Sequence, residues 1–112
     1  MRTIQKLEKE SQLNSLIKKK KSQDFTVLFH STWCDYCQKM LKMAEDKWLS
    51  QEGDETLYTI SSWDIPHGFV AFGVTQTPTI VAARRGRVRK YEYRPQIYSF
   101  LSTEKSLETG RV

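Results

Sequence analysis

The stretch from residue 25 to residue 37 constrains this chain more than any other. Phe25-Thr26-Val27-Leu28-Phe29 is a short apolar, β-prone run, a helical stripe begins at Asp35, and both cysteines of the protein, Cys34 and Cys37, sit at the junction. A run apolar on both faces suits a strand covered from both sides, so other elements must pack above and below it. Two thiols with two residues between them can close into a small disulfide ring and reopen. A Cys-x-x-Cys between a strand and a helix is the layout of a thiol–disulfide redox site. The same spacing also serves metal ions.

The rest of the chain repeats the strand–helix alternation. Residues 2–7 form a short strand anchored by Ile4, and a helix over about 9–21 follows, with Leu13, Leu16 and Ile17 on one face. Lys18 to Lys21 fall in its last turn, where cations complement the helix dipole. The helix over about 35–50 carries the stripe Cys37, Met40, Leu41, Ala44 and Trp48. A loop at 51–54 leads to a strand at 57–60. Pro66 opens a short helix, with Asp64 as its cap and Phe69, Val70 and Phe72 as its buried side. Residues 79–83 form a fourth strand, Arg85-Gly86 turns it, and residues 87–93 return as a half-exposed hairpin partner. Pro95 starts a last helix with Ile97, Tyr98, Phe100 and Leu101 as apolar positions, fraying after about Ser106. This order predicts a mixed α/β sheet with helices on both faces.

At 112 residues the chain is expected to form one domain over 1–112, with its core over about 2–106. Hydrophobic residues make up 38% and aromatic residues 12%, which suffices for a single core and argues against disorder. No apolar stretch is long enough to span a membrane, and the early charges leave no room for a signal peptide. A cytoplasmic location is expected, where a cysteine pair is catalytic or metal-binding rather than a structural staple. The net charge is +5 and the pI near 9.3. Such a surface attracts acidic partners or nucleic acid, but no nucleic-acid motif accompanies the charge. A solvated helix end and a basic hairpin account for most of it.

Trp33-Cys34-x-x-Cys37 ends a buried strand and opens a long helix, Thr77-Pro78-Thr79 lies 41 residues further on at a strand start, and Gly86 sits at the next turn. In these elements, and in order, the chain resembles the thioredoxin family from about Arg2 to Leu101. The resemblance implies the thioredoxin fold, a central mixed β-sheet flanked by helices on both faces. It also implies a monomer whose redox-active Cys34–Cys37 disulfide needs no other cofactor. By the same resemblance Pro78 is cis and lies against the cysteines, Thr77 lends contacts to the substrate chain, and Trp33 shields the thiols and offers partners a flat contact. A core tryptophan is the plainer reading of Trp33, and Trp48 and Trp63 are read as packing residues. Several positions depart from the family pattern. Asp35-Tyr36 replaces Gly-Pro between the cysteines, and the Tyr is similar to that of glutaredoxins. Leu28 stands where the family keeps a buried acid, Lys42 replaces a helix-kinking proline, and Tyr93-Arg94-Pro95 replaces a glycine loop at the docking face.

Cys34, at a helix N-terminus, is the expected nucleophile, since that position favours the thiolate that attacks a disulfide sulfur. Cys37 then resolves the mixed disulfide. Asp35 either disfavours that second anion or is simply a first-turn acid. Tyr36 supplies an aromatic face, or is merely partly exposed. Strand alternation places His30 on the same face as Leu28, so His30, or water beside it, is a candidate to take the Cys37 proton. A solvent-facing strand-end histidine is the alternative. The expected activity is reduction of protein disulfides, with thioredoxin reductase or a similar donor as one partner and disulfide proteins such as ribonucleotide reductase as another. Glutathione-dependent reduction, a zinc or iron–sulfur carrier using Cys34 and Cys37 with His30 or His67, and a redox-silent adaptor for an acidic partner are the rival readings.

Overall fold

The computed structural model describes residues 2–19, 24–31 and 34–110, with Lys19 and the last eight by backbone alone. The elements run β1 (Thr3–Leu7), α1 (Glu10–Lys19), β2 (Phe25–His30), α2 (Asp35–Leu49), β3 (Thr56–Ser61), α3 (Pro66–Ala71), β4 (Thr79–Arg84), β5 (Arg87–Tyr91) and α4 (Arg94–Gly110). Five strands form one mixed sheet in the order β1-β3-β2-β4-β5. β1 and β2 run parallel to β3, and β4 runs antiparallel to both β2 and β5.

All six residues of the central strand β2 are buried. Their side chains alternate between two cores. Phe25, Val27 and Phe29 meet Leu13 and Leu16 of α1 and the α3 residue Phe69 on one face. Leu28 meets Met40, Ala44 and Trp48 of α2 and Ile97 and Leu101 of α4 on the other. Each helix stripe therefore buries against one side of the same strand, and α2 begins at the rim where β2 ends.

Two anchors tie the sheet's far end to α2. The buried Arg2 stacks its guanidinium 4.0 Å from the Trp48 ring centroid and donates from Nε to the Glu52 carbonyl at 3.1 Å. Trp48 Nε1 donates to the Thr3 carbonyl at 3.0 Å. Across the sheet, Arg84 pairs with Glu55 at 2.7 Å, and Glu55 also accepts from the Thr26 hydroxyl at 2.6 Å.

Several sequence expectations need correction. Asp64 does not cap α3; Ile65 occupies the cap position without a side-chain bond, and Asp64 reaches Lys6 Nζ at 3.6 Å instead. Val70 is 76% exposed, because the buried residue of α3 is Gly68. A Cβ at Gly68 would stand 2.8 Å from the Leu13 side chain, so α3 approaches α1 through its glycine, and Val70, about 200° round the helix, points outward. The 87–93 partner strand ends at Tyr91, and its Val88 is 46% exposed. The described α1 runs Glu10–Lys19, and Lys20 and Lys21, expected in its last turn, lie outside the described residues. α4 runs Arg94–Gly110, so it starts one residue before Pro95.

Trp48 is fully buried, stacks on Phe100 and carries the Thr3 bond. Trp48→Ala is expected to cost about 3–5 kcal/mol, read as a lower urea midpoint with the slope of the transition unchanged.

Candidate active site

The parallel pairing of β2 with β3 sets His30 opposite Ser61. Whatever follows each strand therefore meets at one rim. Cys34 is the N-cap of α2, in extended conformation with φ −104° and ψ 107°. The Cys37 backbone N–H donates to Cys34 Sγ at 3.1 Å. The nucleophile's sulfur thus takes one of the donors a helix start leaves unpaired, at the end of the dipole that favours an anion. Cys34 is partly exposed and Cys37 wholly buried, and neither is disulfide-bonded.

Burial pushes the Cys37 thiol up to about 11, and its contact with Cys34 adds to this, while the Ser31 backbone and the Thr77 hydroxyl pull it down. Those opposing contacts place the loop before β4 against the dithiol. The Thr77–Pro78 peptide there is cis. Pro78 is buried and Thr77 half-buried. Thr79 Oγ1 donates to the Gln76 carbonyl at 2.7 Å, bracing the loop.

The two residues between the cysteines differ sharply. Asp35 is an exposed first-turn acid, and among the described residues its side chain makes no hydrogen bond or ion pair. Tyr36 packs on the core shared by α2 and α4. Its hydroxyl is buried without a hydrogen-bond partner of normal geometry. Burial and the neighbouring Tyr98 push the phenol up to about 12. The Arg94 guanidinium lies over the ring at 3.7 Å from its centroid. Arg94, the first residue of α4, is therefore brought onto the motif's Tyr36.

His30 is 8% exposed, which overturns the solvent-facing reading of a strand-end histidine. Burial and Lys6 lower its pKa below 6.5, and Asp64 acts against them. Its Nδ1 is shut from solvent with no hydrogen-bond partner. The ring lines a cavity of about 370 Å³ with Lys6, Gln38, Ser61, Trp63 and Asp64. Gln38 is the residue after Cys37, so this cavity lies against the first turn of α2. Leu28 is fully buried on the same side of β2 and offers no proton site.

Trp33 lies outside the described residues. Trp63 is 75% exposed, not a packing residue. Its place at the cavity mouth follows from the β2–β3 register, the one sequence signal that would have found it. Tyr98 and Ser31 are further site residues that the sequence reading passed over. His67 is exposed on α3. Among the described residues no group of three or more His, Cys, Asp or Glu side chains is placed to hold a metal ion. No described helix is long and apolar enough to cross a membrane.

A mixed five-stranded sheet carrying a dithiol at the start of a long helix, beside a cis-proline loop, defines a thioredoxin-fold protein with a Cys-x-x-Cys site. The family model described as Thioredoxin matches residues 4–102, and the chain belongs to the thioredoxin family. In fold it is similar to Schistosoma mansoni thioredoxin, with a TM-score of 0.73 at 18% identity over 96% of this chain and 94% of that one. Fasciola hepatica thioredoxin superposes with a TM-score of 0.65 at 21% identity over 97% and 95% of the two chains. Arabidopsis thaliana thioredoxin O2 in its oxidised state does so at 0.70 and 16% over 91% and 92%. A sequence comparison with curated proteins returns no significant match. Family membership together with two adjacent cysteines supports a thiol–disulfide oxidoreductase.

Because only the thiolate alkylates, a brief iodoacetamide pulse on the reduced protein at pH 7.5 is expected to label Cys34 at least about tenfold more than Cys37. Cys37 labelling should climb as the pH approaches 11, with peptide mass mapping as the readout.

Proposed function

We propose that the protein is a cytosolic protein-disulfide reductase that works through a mixed disulfide, with the Cys34–Cys37 pair as its only redox group. The observation that carries this reading is the N-cap geometry: an accessible Cys34 sulfur held 3.1 Å from a helix N–H, with a buried thiol one turn behind it. Cys34 thiolate attacks one sulfur of the partner's disulfide. A Cys34–partner bond forms, the partner's S–S bond breaks, and the departing sulfur takes a proton. Cys37 then gives up its proton and attacks Cys34 Sγ, forming the Cys34–Cys37 disulfide and releasing the second partner thiol. Two electrons and two protons pass to the partner, and an external two-electron donor restores the dithiol. Thioredoxin reductase or a similar flavoprotein suits this role. Trp33, Thr77, Pro78 and Arg94 would form the face that meets the partner, and disulfide proteins such as ribonucleotide reductase are the substrate class.

The resolving step needs a base, since Cys37 holds its proton up to about pH 11. His30 is the acceptor we assign. It is kept neutral at pH 7 by burial and by Lys6 on β1, with Asp64 alone opposing. The cavity it lines extends to Gln38 and Leu41 of α2, one and four residues after Cys37, and has room for the water that would relay the proton.

Reduction of insulin by dithiothreitol is expected to accelerate with the wild-type protein, to fall to the uncatalysed rate with Cys34→Ser, and to stop at a trapped covalent complex with Cys37→Ser. No acceleration by the wild type would remove the reductase reading. Replacing thioredoxin reductase and NADPH by glutathione and glutathione reductase identifies the donor.

For His30, stopped-flow resolution of a preformed Cys34 mixed disulfide is the measurement. In the wild type the rate is expected to hold through neutral pH and to fall only as His30 becomes protonated, below pH 6.5. In His30→Ala it should drop on the order of tenfold or more at pH 7, and rise about tenfold per pH unit toward the Cys37 value. A profile of unchanged shape excludes His30 as the acceptor.

A further inference from the structure

The Arg94–Tyr36 pair is more than a packing contact. Tyr36 stands between the two cysteines, and its ring is fixed from below by the α2–α4 core and by Tyr98 over its buried hydroxyl. Arg94 Cζ sits 3.7 Å from the ring centroid. At that distance the guanidinium is in contact with the ring face, the position this planar, weakly hydrated cation favours. The contact occupies the face of the group and leaves the N–H donors around its edge. Arg94 is exposed, and among the described residues no hydrogen bond or ion pair engages those donors. The result is a fork of donors held over the second residue after Cys34, with its rotamer set before any partner arrives.

A carboxylate is the group that fits this fork, because it accepts two parallel N–H bonds in one plane. An extended chain advances about 3.3 Å per residue, so a side chain two or three positions from the attacked cysteine reaches a cation seated over the second residue after Cys34. Asp35 narrows the geometry further. Its exposed charge, one residue round the helix, repels an acid approaching on its side. The flanking Tyr93 is 67% exposed and Tyr98 41% exposed, giving a flat rim larger than a tripeptide needs. The net charge of +5 attracts an acidic protein from a distance.

We propose that Arg94, seated on Tyr36, reads a carboxylate two or three residues from the disulfide cysteine of a protein partner, and so selects acidic-flanked disulfides. The proposal rests on the reductase reading. Two synthetic peptide disulfides test it, identical except for Glu or Gln two positions from the cysteine, each mixed with pre-reduced protein and followed by quenched-flow chromatography. The Glu peptide is expected to react about fivefold faster at low salt, and the preference should shrink at about 0.5 M NaCl as the charges are screened. In Arg94→Ala the Glu-to-Gln ratio should fall to about one or below, since Asp35 then acts alone. Arg94→Glu should reverse the order against a Lys-flanked peptide. Arg94→Lys, which keeps the charge without the planar fork, should retain less than half of the preference.

Equal rates for the Glu and Gln peptides in the wild type overturn the carboxylate reading while leaving the reductase standing. No reaction with either peptide overturns the reductase reading itself. Oxidised glutathione is the third substrate, and a faster reaction with it than with the Glu peptide overturns the assignment to a protein partner. A preference that survives Arg94→Ala removes Arg94 from the role.

Discussion

The whole arrangement depends on the complete burial of β2. A strand with six buried residues cannot lie at an edge or face water, so it must be paired on both sides and covered on both faces. β3 and β4 supply the pairing, α1 with α3 one cover, and α2 with α4 the other. Once β2 is central, its last residue emerges at the rim, and α2 must start there to bring Met40, Ala44 and Trp48 back over the strand. The Cys34 cap and the Cys37 burial follow from that return. The reactive pair is placed by hydrophobic packing that starts well away from it.

That origin explains which parts could be read from the chain. The apolar run at 25–29 and the stripe from Cys37 to Trp48 are dense, local patterns, and β2 and α2 follow them closely. β4 is similarly legible, since Thr79 to Ala83 is apolar on both faces. Val70 was misplaced for a local reason. A short helix gives few positions to judge a face, and Gly68, with no side chain, carries no hydropathy signal although it makes the closest approach. Boundaries moved where a polar turn decides them, as at Tyr91 and Arg94.

The chemistry around the cysteines was less legible than the cysteines themselves, because it is built from distant segments. His30, Trp63 and Lys6 share a cavity only after three parallel strands align. Arg94 reaches Tyr36 across 58 positions, through the packing of α4 on α2, and nothing in the spacing of either residue announces it. The family resemblance singled out position 94 as a departure from a glycine loop. In the folded protein that departure is a cation resting on the aromatic residue of the motif.

The burial of Cys37 also explains why a base matters more at this site than the thiol's intrinsic strength. Raising the thiol from 9.0 to about 11 makes its anion a better nucleophile, but with a Brønsted coefficient near 0.4–0.5 the gain is at most about tenfold. The same shift cuts the fraction of anion at pH 7 by about 100-fold. The balance is a loss on the order of tenfold. In the role proposed for His30, a neutral imidazole beside a polar cavity would offset such a loss without placing a second negative charge next to the thiolates. A carboxylate at Leu28 would add that charge, and in the Leu28 setting, walled by Met40, Ile80 and Ile97, it would be strongly desolvated as well. The chain instead keeps the face of β2 beneath α2 apolar and sets its titratable group two residues further on, at the rim.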